Sequence, residues 1–411
     1  MLKAYKYKIH PTAEQQQQLE MFFGCTRFIY NWGLNIKTSE YKEYGRNVSY
    51  VDLAKQLTLL KQQKEYEWLQ ECAAETLQQS LRCLESAFNG FFRKKAKYPV
   101  FKSKHKSRQS CKFLTCVYFD FDEWKVKLPK LGWIKLCKNR TFNQEVCKQG
   151  TCTVSKDHCG EYWCVISVET YEPKAAKAKL SMDTAVGIDL GIKDYATLSD
   201  GTKYSNPKHE NSVRIKLARA QRSLSRKQKG SANREKARLE VARLHRKVAN
   251  QRTDFLHKLT TDLIRKYDTI CLEDLNIAGM EKNHHLARAI QGAAWGEFQR
   301  QLEYKAEWYG KNVLYIGRFT PSSKLCHKCG YINNELTLNQ REWMCPQCRE
   351  RLDRDVNAAI NIKNVAFDAE NLIDAAMNKT ACGQAGAETV EGRGYEPCEA
   401  VSPRLYPVGV N

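Results

Sequence analysis

The 411-residue sequence contains no apolar run approaching the roughly 20 residues that cross a bilayer. Its opening, MLKAYKYKIHPTAEQQQQ, has neither the apolar core nor the cleavage site of a signal peptide. Together these absences argue against a membrane partner and for a cytoplasmic protein, which in a bacterium has access to the nucleoid. Acids are also scarce: 46 Asp and Glu stand against 67 Lys and Arg, a net charge of +21. Such an excess destabilises the folded state by self-repulsion, and polyanion binding is its usual reason. Nucleic acid is therefore the expected partner, and a small-molecule substrate is not.

A disulfide framework is missing too. Cysteine occurs 17 times, an odd count, in apolar stretches such as EYWCVISV and TICLED, which reads as small buried thiols in a reducing compartment. No long low-complexity segment dominates. At this length, with 42% hydrophobic residues, two or three units with real cores are expected.

The opening KAYKYKI alternates like a strand that Pro11 ends, and residues 12–97 read as helical. Leu77, Leu81, Leu84, Phe88 and Phe91 share one helical face, and Ser49 with Asp52 resembles a capping box. From about 101 to 180 short β segments follow, the economical reading being a small antiparallel sheet or barrel. Lys125, Lys127, Lys130 and Lys135 could make one of its faces basic, although strand lysines more often simply blunt edges.

The stretch AVGIDLGIKDYATLSDG, residues 185–201, places Asp189 inside an apolar run. An ionised carboxylate buried alone is costly. Either a basic side chain neutralises it or it faces a cation from a strand end. GIDLG also opens the phosphate loop of actin-like ATPases, but Ile192, Lys193 and Asp194 follow where that loop needs a hydroxyl, and the sequence offers no second glycine-rich phosphate loop. An ATPase is set aside.

Residues 214–252 hold 14 Lys or Arg against Glu235 and Glu240, a local excess of +12. Apolar residues at helical spacing on either side of KGSAN suggest a helical hairpin. So few compensating acids favour phosphate contact, with Arg219, Arg222, Arg226, Lys227, Lys229, Arg243, Arg246 and Lys247 as candidates.

Beyond it, FLHKLTTDLIRKY reads as a helix, DTICLEDLN as a buried strand, AAWGEFQRQLEYKAEWYG as a helix with Trp295, Phe298, Leu302, Ala306 and Tyr309 on one face, NVLYIGRF as a strand, and LDRDVNAAINIKNV as a helix start. This order gives a mixed sheet flanked by helices. Asp189 lies in its first strand, Glu273 at the C-terminal end of ICLE, and Asp355 at the beginning of the last helix. Chain order alone does not bring them together. Converging, they would repel unless one or two Mg²⁺ or Mn²⁺ ions sat among them, an arrangement suited to phosphodiester hydrolysis. For any one acid taken alone, structural ion pairing remains the favoured reading.

LCHKCG and WMCPQCRE supply Cys326, Cys329, Cys345 and Cys348 in a C-x2-C-x15-C-x2-C pattern. Two knuckles offering four thiolates match tetrahedral Zn²⁺, and a closed four-cysteine site leaves no position for water, so the zinc should be structural. His327 reads as a bystander.

GIDLGIKDYATLSDG, LEDLN, FTPSSKLCHKCG…CPQC and DRDVNAAINI, in this order, resemble the TnpB family of transposon-encoded RNA-guided DNA endonucleases, relatives of the type V CRISPR effectors. Pro11, Thr12, Gln15, Gly24, Arg27, Tyr30 and Asn31 fit the family's opening, so nearly all of residues 1–366 is covered. The resemblance implies an α/β multi-domain protein. An RNase H-like (RuvC) nuclease domain would span 183–318 and 351–368, with a zinc ribbon inserted at 319–350. A helical recognition lobe would occupy 12–100, a wedge β-barrel 1–11 and 101–182, and a flexible tail 369–411.

It further implies that Asp189, Glu273 and Asp355 are the catalytic triad, with Asp274 and Asp353 outside it. The implied partners are a guide RNA from the transposon end and double-stranded target DNA beside a short motif. Arg349 stands where the family usually has glycine, which predicts a looser second knuckle, and Leu352 replaces a commonly polar neighbour. A non-cleaving regulator of transposition is the alternative. A transposase joining DNA ends is less favoured, since no nucleophilic tyrosine motif is present.

Overall fold

The computed structural model describes residues 1–382 apart from 145–146, 172–174, 319 and 338–339. The chain begins with β1 (Leu2–His10), followed by the helices α1 (Ala13–Tyr44), α2 (Tyr50–Leu60) and α3 (Ala74–Phe92). The starts of α1 and α2 are chemically marked. Thr12 and Gln15 cap α1 reciprocally, and Ser49 and Asp52 do the same for α2. Leu77, Leu81, Leu84 and Phe88 of α3 are buried against α1 and α2.

β2 (Gln109–Phe113), β3 (Tyr118–Asp120), β4 (Lys125–Leu128), β5 (Gly132–Leu136), β6 (Cys147–Lys156) and β7 (Tyr162–Thr170) join β1 in one antiparallel sheet ordered β2-β6-β7-β1-β5-β4-β3. The first strand of the chain thus lies near the middle of a sheet whose other strands come more than a hundred residues later. Its two edges do not pair with each other among the described residues, so the pairing is that of a sheet and not of a closed barrel. Lys125 and Lys135 are direct cross-strand neighbours, which makes that end of the sheet basic.

The second half is a mixed sheet. β8 (Ala185–Leu190), β9 (Asp194–Leu198), β10 (Lys203–Ser205), β11 (Thr269–Glu273) and β12 (Asn312–Ile316) are ordered β10-β9-β8-β11-β12. β8 and β10 each run antiparallel to β9 between them, whereas β11 runs parallel to both β8 and β12. This is the mixed sheet expected of an RNase H-like fold. α4 (His209–Ser225) and α5 (Ala232–Lys266) form the expected basic hairpin, with Ser231 capping the second arm. α5 continues without a break through FLHKLTTDLIRK, so the hairpin arm and the following helix are one element.

α6 (Ile277–Met280), α7 (Ala287–Ala293) and α8 (Trp295–Tyr309) follow β11. Trp295, Phe298, Leu302 and Ala306 are buried against α5 and one face of the sheet. Tyr309, expected on the same face, is instead exposed, because it is the last helical residue before the Gly310 cap.

The ribbon hairpin β13 (Glu342–Met344) and β14 (Arg351–Asp353) leads into α9 (Arg354–Cys382), which packs on the other face of the mixed sheet. α9 extends beyond residue 368, where a tail was expected, because DAENLIDAAMNKTA is rich in strong helix formers. The remaining tail lies outside the described residues. No helix among them is long and apolar enough to cross a membrane.

Candidate active site

Asp189 sits in an apolar strand because both faces of that strand are covered. Val186 and Ile188 point into the core shared with α5 and α8, whereas Ala185 belongs to the cluster beneath α9. Side chains alternate along a strand, so Gly187 and Asp189 also face α9. β11 pairs in parallel register with Cys271 beside Gly187. Asp189 and Glu273 each lie two residues beyond that pair, on the face shared with Gly187 and Cys271.

α9 supplies the third acid. Its backbone lies directly on Gly187, where an added Cβ would come within 2.0 Å of the Ala359 carbonyl oxygen. Asp189 is about 6.6 Å beyond Gly187 along the strand. Asp355 is about 6 Å, one helical turn, before Ala359. With the helix running back along the strand, the first turn of α9 arrives at the strand ends that carry Asp189 and Glu273.

The electrostatics reflect this meeting. Burial, then the carboxylates of Glu273 and Asp355, push the Asp189 carboxyl up to about 7, and Arg354 and Arg341 only partly offset them. Asp355 accepts from Arg341 Nη1 at 3.0 Å and lies 3.4 Å from Arg354 Nε. Ser322 Oγ donates to Glu273 Oε1 at 2.5 Å. The three carboxylates do not close into one cluster here. Among the described residues, only the four cysteines form a group of three or more metal-ligating side chains with all donor atoms within 4.8 Å of one another.

The neighbouring acids have other work. Asp353 accepts from the N–H groups of Asp355 and Val356 at 3.0 and 3.1 Å, capping α9, and pairs with Lys203 at 2.6 Å. Asp274 is forked onto Arg318 at 2.8 and 3.2 Å.

Cys326, Cys329, Cys345 and Cys348 bring their sulfurs together, with Cys326–Cys348 at 3.7 Å and Cys329–Cys345 at 3.5 Å. Four thiolates about 2.3 Å from a tetrahedral zinc lie roughly 3.8 Å apart, so the spacing fits that ion. Burial opposes ionisation of Cys345, but backbone N–H groups of Cys348 and Gln347 and neighbouring thiols bring it down to about 7. The two knuckles are built alike. Gly330 N donates to Cys326 O and Arg349 N to Cys345 O, both at 2.9 Å. Arg349 adopts φ 58°, beside φ 76° at Gly330. The looser second knuckle expected from Arg349 is therefore corrected: the arginine takes the left-handed backbone that glycine would take.

Of the eight basic candidates on the hairpin, Arg219, Arg222, Arg226, Lys229, Arg243 and Lys247 are exposed and Lys227 is half-buried. Arg246 is bound to Asp157 at 3.1 Å and to Glu161 at 2.7 Å, joining α5 to the first sheet. A cleft of about 1550 Å³ opens between that sheet and α5, lined by Lys6, Lys104, Arg108, Lys156, Arg238 and His245 among others.

A protein of Streptomyces pristinaespiralis named "Putative RNA-guided DNA endonuclease" is 42% identical over 406 residues, covering 98% of each chain. The InsQ protein of Escherichia coli K12, with the same designation, is 34% identical over 88% of this chain and 91% of its own. The chain belongs to the TnpB family. Family profiles described as "Probable transposase" and "Cas12f1-like, TNB domain" match residues 165–284 and 295–362, and one described as a helix-turn-helix domain matches 1–46. In this TnpB-family chain the last region folds as β1 followed by α1. A Cas12f1 structure, solved as a complex with guide RNA and target DNA, aligns over 88% of this chain and 98% of its own with TM-score 0.52 at 14% identity, which shows a shared fold.

Three residues of this TnpB-family site were not singled out from sequence. Asn357 Nδ2 donates to Leu325 O, while its Oδ1 accepts from His327 N at 3.0 Å. Asn361 Nδ2 donates to Ser322 O and Leu325 O at 2.7 and 2.6 Å. With Ser322, they tie the start of the ribbon to α9 and to Glu273. Two asparagines four apart on an otherwise apolar helix, in DVNAAIN, were the available signal.

Proposed function

We propose that this chain is an RNA-guided, divalent-metal-dependent DNA endonuclease encoded by a transposon, cutting double-stranded DNA beside a short flanking motif. The observations that support this reading are the parallel pairing of Gly187 with Cys271, two residues before Asp189 and Glu273, and the close approach of α9 to Gly187 at Ala359, four residues after Asp355. Relatives named as RNA-guided DNA endonucleases over nearly the whole chain support it.

The donor set is all carboxylate oxygen, which suits Mg²⁺ or Mn²⁺. The proton affinity of Asp189 is raised by burial and by its two acidic neighbours, an electrostatic strain that divalent cations would relieve. Asp189, Glu273 and Asp355 would hold them. Such ions, when bound, activate water and stabilise the oxygens of an in-line phosphodiester displacement. Asp189 and Glu273 contribute fixed oxygens from paired strands. Ser322 orients Glu273, and Asp355 exchanges its contact with Arg341 for the shared site. The four cysteines hold a structural Zn²⁺ whose ribbon, through His327, Asn357 and Asn361, fixes the first turn of α9.

Guide RNA and DNA phosphates are met by the hairpin cations Arg219, Arg222, Arg226, Lys227, Lys229, Arg243 and Lys247, while base pairing reads the sequence. The test is a cleavage assay with the RNA that copurifies with the protein and a matching duplex. Wild type cuts with Mg²⁺, and Asp189→Ala, Glu273→Ala and Asp355→Ala do not. Metal-independent cutting, or none by wild type, would overturn the reading.

A further inference from the structure

The segment FFRKKAKYPVFKSKHKSR, residues 91–108, carries eight Lys or Arg and no acid. It links α3 to the first sheet, outside the carboxylate site and the α4–α5 hairpin. Aromatic residues are threaded through its charge. Phe92 is 67% exposed and Phe101 60%, with Val100 and Tyr98 also at the surface. Phe88, Phe91, Phe92 and Tyr98 form a small cluster, Phe91 and Tyr98 meeting edge to face at 5.2 Å. Large rings left in water beside unopposed cations are an unusual choice unless something covers them.

The segment is held by α1. Asn31 grips the backbone of Lys102 from both sides, donating to its O at 2.9 Å and accepting from its N at 2.8 Å. Lys102 Nζ lies 3.7 Å from the Tyr30 ring centroid, and Arg27 Nη1 donates to Gln109 Oε1 at 2.7 Å. Thr38 Oγ1 is 3.2 Å from the Tyr98 hydroxyl. These residues, spread over three turns of α1, form a rail along which the strap is laid; Arg93, Lys94, Lys95, Lys97, Lys104 and Lys106 are exposed, while Arg108 donates to Ser155 Oγ at 3.0 Å. At the end of α3, Lys94 takes φ 57°, a backbone that favours glycine, and so accepts a local cost while adding charge.

We infer that the strap 91–108 is a binding platform for an unpaired DNA strand, with bases stacking on Phe92 and Phe101 and phosphates meeting Arg93, Lys94, Lys95 and Lys97. Charge complementarity selects a polyanion, and flat exposed rings select one with free base faces over a closed duplex. Among the exposed side chains of 92–101, only the Tyr98 hydroxyl could accept from a ribose 2′-hydroxyl, and it faces Thr38. The inference rests on the proposed DNA-cutting function for the source of that strand, since guide pairing displaces one. It does not depend on the carboxylates.

The test uses the full chain in the Asp189→Ala background, which removes cutting from the readout. Fluorescence anisotropy follows a labelled oligothymidine, its duplex with oligodeoxyadenosine, an oligouridine and phosphatidylglycerol vesicles across a salt series. Phe92→Ala with Phe101→Ala should weaken oligothymidine binding by roughly 5- to 150-fold per lost stack, with the salt slope unchanged. Phe92→Trp with Phe101→Trp should retain it, which separates stacking from misfolding. Lys94→Gln, Lys95→Gln and Lys97→Gln together should lower the salt slope by about 2. Ring variants that leave oligothymidine affinity unaltered would overturn the inference. So would ring variants that weaken duplex, oligouridine or vesicle binding equally. A wild-type chain that fails to cut but binds oligothymidine through these rings would sink the proposed nuclease and leave the platform standing.

Discussion

Gly187 and Ala359 are in backbone contact: a Cβ on Gly187 would stand 2.0 Å from the Ala359 carbonyl oxygen and 2.8 Å from Lys363 N. Helix α9 can lie on strand β8 only because that position has no side chain. The approach fixes where Asp355 arrives relative to Asp189. Gly187→Ala must push helix and strand apart, an overpacking that costs about 1–3 kcal/mol or more. It should lower Tm and abolish DNA cutting while leaving the cysteine site able to hold zinc. Thermal unfolding, cleavage and zinc content, measured together, check this.

Asp189 makes the cation-free protein sensitive to pH. Its carboxyl is raised to about 7 in the folded chain, against about 3.9 unfolded. A raised acid contributes stability that is fully present below the unfolded value and lost as pH rises through the folded one. Without divalent ions, Tm should therefore fall between about pH 4 and pH 7. Asp189→Asn should flatten that part of the profile and be the more stable protein above pH 7. A wild-type profile unchanged by the substitution would contradict the burial and repulsion assigned to Asp189.

Arg349 carries strain that glycine would not. At φ 58°, a residue with a Cβ costs about 1–2 kcal/mol. Arg349→Gly should slow zinc loss to a chelator several-fold and leave DNA cutting intact. Faster loss would mean that the side chain itself supports the ribbon.

Two hairpin arginines should behave oppositely. Arg246 joins Asp157 and Glu161 across to the first sheet, whereas Arg243 is exposed. Arg246→Ala removes this link, although Glu161 keeps Lys8 and Asp157 keeps Trp163, and should cost on the order of 1 kcal/mol in urea unfolding. Arg243→Ala should leave stability within about 0.5 kcal/mol and reduce the salt dependence of RNA binding.

How far the sequence discloses this arrangement depends on the kind of signal. Period and punctuation were plain where one face is dry: the capped starts of α1 and α2, the Leu77–Phe88 face, and the hairpin around KGSAN. The cysteine knuckles were equally plain, because metal spacing is local. Strand β8 hides its logic, since both of its faces are covered and the alternation separating Val186 and Ile188 from Gly187 and Asp189 shows only once α9 is in place. Arg246 looks like its neighbours in sequence, and only a partner pair more than eighty residues away distinguishes it. The left-handed turn at Arg349 is masked for the same reason, because an arginine there gives no hint of the backbone it adopts. The strap at 91–108 falls where the helical pattern ending at 97 gives way to short β segments, and its exposed rings are not legible there.

The central claim is that Asp189, Glu273 and Asp355 share divalent cations. Titration with Mn²⁺ followed by electron paramagnetic resonance addresses it without reference to guide, target or cutting. Wild type should show bound Mn²⁺ that Mg²⁺ competes away, and alanine at any one of the three positions should remove or sharply weaken that binding. Three alanine variants that bind Mn²⁺ as tightly as wild type would contradict it.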